Sequence, residues 1–244
     1  MKFRICFAFM AILLFNNPVS TIAAEEIKTP KTIGNLTILD PYSKKELDCT
    51  IIGIQLSASS MPKARETLLD KDYSITLRLT DDIKKTYEDI RKANNSPIDD
   101  PVGEFTKTIG GQVMALTCGR TKYENKKIMQ YYDIIISKKA YGGDSYPMFL
   151  VTISHEIAHI VIKRNCTINK HFGPTVAEEE SMAYTIGPKA VRDYIASISD
   201  KLKIRDNGKD YEKFSKSLER CLQDQDAIQL LWQKIYTKEQ TLKK

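Results

Sequence analysis

One predicted helix, from Met148 to about Lys163, constrains the fold more than any other part of the sequence. Apolar residues recur along it at the three- and four-residue spacing of an α-helix that faces a protein core. They are Phe149, Leu150, Ile153, Ile157, Ile160 and Val161. Pro147 suits the first turn, because its fixed φ angle matches helical geometry. The sequence therefore predicts a buried amphipathic helix at this position.

The buried helix carries an HExxH motif, formed by His155, Glu156 and His159. Residues four apart lie on the same side of an α-helix, so both imidazoles point into one cleft and can bind one Zn²⁺ ion. Glu156 projects beside them and can accept a proton from a zinc-bound water, whose pKa the metal lowers to about 7. Without a metal, an apolar core would leave these side chains without partners. The motif therefore predicts zinc-dependent hydrolysis with Glu156 as the general base.

Three consecutive glutamates open a second predicted helix, which runs from about Thr175 to Ile186. They are Glu178, Glu179 and Glu180. Each residue of a helix is turned by about 100° from the one before it, so only one of the three can face the metal. Glu180 shares its face with the small residues Ala183 and Gly187, which would let this helix approach the HExxH helix closely. We predict Glu180 as the third zinc ligand, with Glu179 as the alternative.

A histidine in the loop between the two helices offers a different third ligand. His171 would give a three-histidine site, but the metzincin signature requires glycine and histidine where this chain has Ile162 and Asn165. Amide hydrolysis also needs a hydrogen-bond donor for the oxyanion. The sequence offers five candidate donors without choosing among them: His171, Tyr141, Tyr146, Tyr184 and Tyr194.

The segment 130–187 resembles the gluzincin group of zinc metallopeptidases, in which HExxH supplies two histidines and a glutamate on a following helix supplies the third ligand. The resemblance implies a zincin-like α+β fold with His155 and His159 as zinc ligands and Glu156 as the base. It also implies Glu180, at the start of an ExxA pattern, as the third ligand. The implied substrate is a peptide or a protein.

The same resemblance implies where a substrate binds. An extended peptide would lie along Gln130–Ser137, the strand that precedes the HExxH helix. Gluzincins often have Asp or Asn immediately after the Ala of the ExxA pattern, whereas this chain has Tyr184 there. The hydrogen-bond partner of one histidine is therefore unassigned.

Before the HExxH helix, the sequence predicts an α+β arrangement. Cys49–Leu56, Tyr73–Leu79 and Gln130–Ser137 are rich in β-branched or aromatic residues and are interpreted as strands. A cap at Asp81 or Asp82 predicts a helix that runs to about residue 92. The segment 94–103, rich in Asn, Asp and Pro, is interpreted as a loop.

Three parts of one domain follow from these assignments. The first is an α+β lobe at about 41–144, the second comprises the active-site helices at about 145–187, and the third is a helical part at 188–244. The active cleft would lie between the first lobe and the helical part. In the last part, periodic apolar residues indicate two or three helices with a break near Asn207-Gly208.

Residues 1–24 have the pattern of a secretory signal peptide. Lys2 and Arg4 form a basic start, Ile5–Phe15 is an apolar run, and Pro18–Ala24 supplies a helix breaker and small residues. The apolar run is shorter than the roughly 20 residues that cross a bilayer, so we expect cleavage rather than a membrane anchor. The sequence therefore predicts an exported protein, periplasmic or secreted, with a single zincin-like domain at 25–244.

Removal of the signal peptide would leave four cysteines. They are Cys49, Cys118, Cys166 and Cys221. An even number of cysteines in an oxidising compartment favours two disulfides. Of the possible connectivities we favour Cys49 with Cys118 and Cys166 with Cys221, because each pair then lies within one half of the chain. The spacings are too wide for a CxxC metal or redox site.

The distribution of charged residues along the chain argues against one class of partner, nucleic acid. Lys and Arg outnumber Asp and Glu by 37 to 31, but the basic residues are scattered rather than clustered, so we expect no nucleic-acid partner. Two functions remain: an exported zinc metallopeptidase, and a non-enzymatic binding or assembly protein of the cell envelope that retains the fold. The peptidase is favoured, because a structural zinc site has no use for Glu156 beside its first ligand.

Overall fold

A computed structural model of the protein describes residues 32–39, 44–110, 112–141, 146–169, 174–199 and 209–242. Five strands lie in these ranges: β1 (Thr32–Ile33), β2 (Leu36–Leu39), β3 (Tyr73–Thr80), β4 (Ala115–Glu124) and β5 (Lys127–Ser137). The α-helices there are α1 (Lys44–Ser60), α2 (Pro62–Leu69), α3 (Ile83–Ala93), α4 (Pro101–Ile109), α5 (Tyr146–Asn169), α6 (Val176–Tyr184), α7 (Ala190–Ser197) and α8 (Lys209–Leu242). The predicted signal peptide, His171 and the predicted break at Asn207-Gly208 lie outside these ranges. The architecture is mixed α+β, as predicted.

The strands form one sheet in the order β1-β2-β3-β5-β4. β2, β3 and β5 are parallel to one another, whereas β1 and β4 pair antiparallel with their neighbours. The β4–β5 hairpin turns at Asn125 and Lys126, whose φ angles of 50° and 64° suit a two-residue turn with the twist of the flanking strands. This hairpin places β4 at one edge of the sheet.

Helices cover both faces of the sheet. On one face, Ile134 of β5 belongs to the same apolar cluster as Phe149 and Ile153 of α5, together with residues of α1 and α2. On the other face, Tyr87 of α3 packs in a cluster with Ile135 of β5. Because β5 is covered on both sides, the second half of this strand is buried without alternation. The HExxH helix α5 therefore lies on the face of the sheet opposite α3, together with α1 and α2.

The run Cys49–Leu56 is helical, and the prediction of a strand there is wrong. It lies within α1, where Ile54 and Leu56 are fully buried. A short apolar run that is buried all round has no periodicity that distinguishes a strand from a helix. Helix packing decides the outcome, since a Cβ atom at Gly53 would lie 3.1 Å from side-chain atoms of α5. The glycine allows α1 and α5 to pack closely.

Local signals placed several elements correctly. β3 and β5 contain the strands predicted at Tyr73–Leu79 and Gln130–Ser137. Asp82 caps α3 by accepting a hydrogen bond from the backbone N–H of Lys85 at 3.0 Å. β3 is determined by alternation, β5 by its β-branched and aromatic residues, and α3 by capping, all of which act within a few residues of the chain.

The segment 94–103 contains the start of a helix that the loop interpretation missed. Asp100 accepts a hydrogen bond from the backbone N–H of Gly103 at 3.1 Å, and Pro101 occupies the first turn of α4. Asp and Pro favour turns, but they also favour the N-cap and first position of a helix. The same residues therefore fit a loop or the start of a helix, and in this segment they start a helix.

α6 continues into α7 through a π-helical turn, Thr185–Lys189. The helical path therefore runs beyond the predicted end near Ile186, although Pro188, inside the π turn, lacks an N–H. A Cβ atom at Gly187 would lie 2.4 Å from the carbonyl oxygen of Ser154 in α5. The small residue therefore brings the two helices together, as predicted.

The C-terminal helix α8 completes the helical side of the molecule. Its residues Leu218 and Leu222 pack in a cluster with residues of α1, α5 and α7. Further along the helix, Trp232 packs with Ala177 and Tyr184 of α6. Within the described ranges, no helix combines the length and the apolar character that crossing a bilayer requires.

Among the described residues, no disulfide joins any two of the four cysteines that follow the predicted signal peptide. The pairing of Cys49 with Cys118 and of Cys166 with Cys221 is therefore wrong. Cys118 belongs to the cluster on the α3 face of the sheet, opposite the face that α1 covers. Cys166 packs against the cluster that contains Ile134, Phe149 and Ile153. Cys221 packs against the cluster that contains Leu218 and Leu222, here called the α7–α8 cluster. A disulfide needs Cα atoms within about 7 Å of each other, which an even count of cysteines does not ensure.

Candidate metal centre

The HExxH motif lies in the middle of α5, and its three polar side chains are buried. His155, Glu156 and His159 are 5–8% exposed. The two imidazole rings meet edge to face, and their Nε2 atoms lie 3.1 Å apart. Two ring nitrogens at this distance must either share a proton in a hydrogen bond or bind a common cation. The i, i+4 spacing on the helix therefore places both histidines as the sequence predicts.

α6 brings Glu180 to the two histidines. One carboxylate oxygen lies 3.4 Å from Nε2 of His155, and the other lies 3.6 Å from Nε2 of His159. One potential ligand atom from each of the three residues lies within 4.8 Å of the other two. Thr175 caps α6, because its hydroxyl accepts a hydrogen bond from the backbone N–H of Glu178. The close contact of Gly187, in the π turn that follows, holds α6 against α5. The three predicted ligands are thus brought together.

The residues present suit a divalent cation such as zinc. Two imidazoles and one carboxylate form a common ligand set for zinc in hydrolytic sites. Burial of His159 acts to lower its pKa, but the hydrogen bond with Glu179 and the charges of Glu180 and Glu156 outweigh burial and raise it. For Glu180, burial acts to raise the pKa, but the hydrogen bond with His155 and the charge of His159 lower it. The raised pKa of His159 and the lowered pKa of Glu180 both indicate that this pocket stabilises positive charge.

Glu179, the alternative ligand in the sequence analysis, has a different position. Its Oε1 lies 2.9 Å from Nδ1 of His159, on the side of the ring away from His155. The same oxygen lies 3.2 Å from Nζ of Lys163. Adjacent glutamates therefore reach opposite edges of one imidazole: Glu180 reaches Nε2 and Glu179 reaches Nδ1. The sequence gives only a weak signal for this role of Glu179. The signal is a carboxylate directly before the predicted ligand Glu180, and a lysine, Lys163, one helical turn after His159.

Thr117 of β4 contacts the predicted base and was missed by the sequence analysis. Its hydroxyl donates a hydrogen bond of 2.6 Å to Oε2 of Glu156 and also lies 3.3 Å from the backbone carbonyl oxygen of Glu156. This contact joins the edge of the sheet to the middle of α5. No motif surrounds Thr117, because its proximity to Glu156 depends on how β4 pairs with β5.

The predicted substrate strand, Gln130–Ser137, is not free to bind a peptide. It lies in β5, which pairs with β3 on one side and with β4 on the other. The strand beside the metal centre that forms the edge of the sheet is β4. The backbone N–H of Ser137 donates to the carbonyl oxygen of Met114 at 2.9 Å, so the antiparallel register turns the N–H and C=O of Ala115, Thr117 and Gly119 outward.

Tyr184 contacts the metal centre and is the one candidate oxyanion donor that the described side chains place there. Its ring centroid lies 4.2 Å from that of His155. Burial raises its pKa, and the charges of Glu180 and Glu156 raise it further, so the phenol remains protonated at neutral pH. Tyr194 packs instead in the α7–α8 cluster. The side chains of Tyr141, Tyr146 and His171 lie outside the described residues.

Comparison of the chain with models of protein families, with curated proteins and with solved structures gives no match.

Proposed function

We propose that the protein is a zinc-dependent metallopeptidase with a zincin-like fold, as the resemblance to gluzincins implies. One observation carries the proposal. The Nε2 atoms of His155 and His159 face each other at 3.1 Å, and the carboxylate of Glu180 lies beside both. Glu156, on the same helix, holds a carboxylate next to this group. Three protein ligands leave a fourth position for water, which is typical of hydrolytic zinc sites.

His155, His159 and Glu180 would hold the metal. When bound, zinc acidifies a coordinated water and polarises a carbonyl group. The protein contributes the enclosure, since all three side chains are less than a fifth exposed. Such burial excludes competing water and strengthens electrostatic interactions within the site.

Glu156 is the proposed general base. The hydrogen bond from Thr117 engages Oε2 and fixes the orientation of the carboxylate, which leaves Oε1 to accept a proton. A base must lie within hydrogen-bond reach of the proton that it removes. Glu156 would take a proton from the attacking water and pass it to the leaving amine of the substrate. This role distinguishes the proposed enzyme from a protein that uses the metal for structure alone.

The exposed edge of β4 is the proposed site for an extended peptide. The outward N–H and C=O groups of Ala115, Thr117 and Gly119 can pair with a substrate backbone, as in other cases of β-strand addition. Thr117 lies at the centre of this row and also holds Glu156. A peptide paired there would pass beside the metal centre. The substrate class is therefore a chain that can adopt an extended conformation.

Tyr184 is the proposed donor to the oxyanion. The ring lies against His155, and the phenol stays protonated for the reasons given above. A protonated hydroxyl beside a metal can donate a hydrogen bond to the negative oxygen that develops when water attacks an amide. Tyr184 would thus stabilise charge by donating a hydrogen bond, whereas Glu156 would transfer a proton.

Export of the protein is also proposed, on the basis of the sequence of residues 1–24. The mass of the chain recovered from the producing cells would test it. We expect a chain that begins near Glu25, in the fraction outside the cytoplasm. Recovery of a chain that retains the first 24 residues, inside the cell, would contradict the proposal.

A metal and turnover assay tests the enzymatic proposal. The purified chain would be analysed for metal content and incubated with a mixture of peptides, before and after treatment with a chelator and again after addition of zinc. We expect one zinc per chain and cleavage that is lost with the chelator and restored by zinc. Bound zinc without cleavage of any peptide would favour the non-enzymatic envelope protein, and failure to bind zinc would contradict both functions.

A further inference from the structure

The two histidines of the metal centre have unlike surroundings at the ring nitrogen that faces away from the metal. Nδ1 of His159 lies 2.9 Å from the carboxylate of Glu179. Nδ1 of His155 is buried and has no hydrogen-bond partner in the part of the chain that the structure describes. The ring of His155 is held by packing against the rings of Tyr184 and His159.

We propose that Glu179 is a positioning residue that prepares His159, and only His159, for the metal. A carboxylate accepts but does not donate hydrogen bonds, so Glu179 requires the proton of a neutral His159 to be on Nδ1. Nε2 of His159 is then a lone pair directed into the site. This inference rests on the proposed metal site, and it concerns the order of events when that site is filled.

The tautomer of His155 follows from the 3.1 Å contact between the two Nε2 atoms. If His159 presents a lone pair there, the proton in that contact belongs to Nε2 of His155. Nδ1 of His155 is then an acceptor without a donor, in agreement with its buried and unpartnered state. In the metal-free protein with both rings neutral, His159 therefore carries its proton on Nδ1 and His155 carries its proton on Nε2.

Metal binding consequently changes one histidine and not the other. A metal at the site would need a lone pair on each Nε2 atom, so the proton of His155 would have to move from Nε2 to Nδ1, without net release of a proton. His159 already has the required form. His159 is thus the anchoring ligand, and His155 is the ligand that must rearrange.

Lys163 stabilises the charge of Glu179, which is mostly buried where it accepts the hydrogen bond of His159. It lies one helical turn after His159, and its Nζ is 3.2 Å from the same oxygen that accepts from Nδ1. The side chain of Glu179 is 16% exposed, so an unpaired charge there would be costly. The lysine partner keeps the carboxylate charged and fixed in orientation.

The experiment is ¹⁵N NMR of the histidine rings, followed by zinc titration. The chain has only three histidines, and a His171→Asn variant identifies the third set of signals. In metal-free protein at a pH where the rings are neutral, we expect the Nδ1–H form for His159 and the Nε2–H form for His155. After addition of zinc, His155 should switch to Nδ1–H while His159 stays unchanged.

Glu179→Ala is the test variant and Glu178→Gln is the matched control, since Glu178 is the adjacent glutamate and carries the same charge. Glu179→Ala should remove the preference of His159 for Nδ1–H and weaken zinc binding about 10- to 100-fold, the usual effect of losing such a partner. Glu179→Gln, whose amide oxygen can still accept from Nδ1–H, should retain the tautomer. Glu178→Gln should change neither property.

The outcomes separate this inference from the proposed function. If the metal-free parent shows His159 in the Nε2–H form, or if Glu179→Ala leaves its tautomer unchanged, the inference is wrong even when zinc binds. If the parent shows the expected tautomers but binds no zinc, the positioning of His159 stands and the proposed function fails. Equal losses of zinc affinity in Glu178→Gln and Glu179→Ala would mean that Glu179 acts only through its negative charge and not through its contact with His159. That result would overturn the inference.

Discussion

Two buried polar clusters among the described residues lie on opposite faces of the sheet, and they differ in how their polar groups are matched. On the α3 face, Asp133 is 1% exposed and binds Arg78 at 3.2 Å and Arg120 at 2.5 Å. On the α5 face, His155 and His159 direct ring nitrogens at each other beside the carboxylate of Glu180. In the first cluster the buried carboxylate has two opposite charges as partners, although Nε of Arg120 is buried without a hydrogen-bond partner among the described residues. The second brings ligand atoms of His155, His159 and Glu180 within 4.8 Å of one another, an arrangement that suits a cation, and the proposed function rests on it.

Glu156→Gln should have the largest effect on activity. The amide has the same shape but cannot accept the proton, so turnover should fall by at least the roughly 10² to 10⁴ that a general base contributes. Zinc content and the free energy of unfolding should stay close to those of the parent. Near-normal hydrolysis by this variant would contradict the proposed mechanism. It would also remove the proposed functional difference between the two buried clusters.

Asp133→Ala should have the largest effect on stability. It leaves two guanidinium groups without a partner at the sheet, and we expect a loss of about 3 kcal/mol, near the low end for a broken buried ion pair because both arginines can still reach water. Denaturant-induced unfolding would measure it. Zinc affinity per folded molecule should not change. A loss of zinc affinity without a loss of stability would contradict the structural role of this cluster.

The pH dependence of the metal centre should differ in sign between stability and metal binding. The raised pKa of His159 contributes stability below its ordinary value of 6.5, and this contribution is lost as pH rises through the folded-state pKa. The lowered pKa values of Glu179 and Glu180 contribute stability above 4.5, which is lost as pH falls through their folded-state values. The metal-free protein therefore gains most from these groups between pH 4.5 and 6.5.

Zinc affinity should instead increase with pH, by about tenfold per pH unit until the pKa of His159 is passed, because zinc requires the neutral ring. Unfolding of chelator-treated protein and zinc titrations at the same series of pH values would compare the two trends. Between pH 6.5 and the folded-state pKa of His159, trends of the same sign would contradict the assignment of His159 as a ligand.

Thr117→Val should have the smallest effect of the four. The substitution preserves shape and removes the hydroxyl that holds Glu156, so we expect turnover to fall about tenfold, the value of one hydrogen bond to a charged group. Thr117→Ser is the control, since it keeps the hydroxyl and should retain most of the activity. If Thr117→Val and Thr117→Ser behave alike, the contact with Glu156 does not matter for turnover.

Several features of the protein follow from local physics and were predictable. The buried face of α5 and the placement of His155 and His159 follow from helical spacing. Asp82 begins α3 through a hydrogen bond that spans three residues. Glu180 was assigned by the small residues on its helix face, and the contact of Gly187 with α5 agrees with that reasoning. Each of these inferences needs information from within one or two helical turns.

Other features depend on contacts between distant parts of the chain. Cys49–Leu56 is helical because the core surrounds it, and its residues alone fit either conformation. Thr117 reaches Glu156 because β4 pairs at the edge of the sheet, 39 residues away in sequence. Cys118, Cys166 and Cys221 pack against three different clusters, which the number and order of the cysteines did not reveal.

The sequence by itself determined that two imidazoles lie together, since residue type and i, i+4 spacing place His155 and His159 on one side of any helix, and it predicted Glu180 as their companion. Only the tertiary structure decided how the ligands are supported. Glu179 holds His159, Thr117 holds Glu156, and His155 has packing alone. The reason is physical: a helix fixes the directions of its own side chains, but the partner of each side chain comes from an element whose position is set by the packing of the whole core.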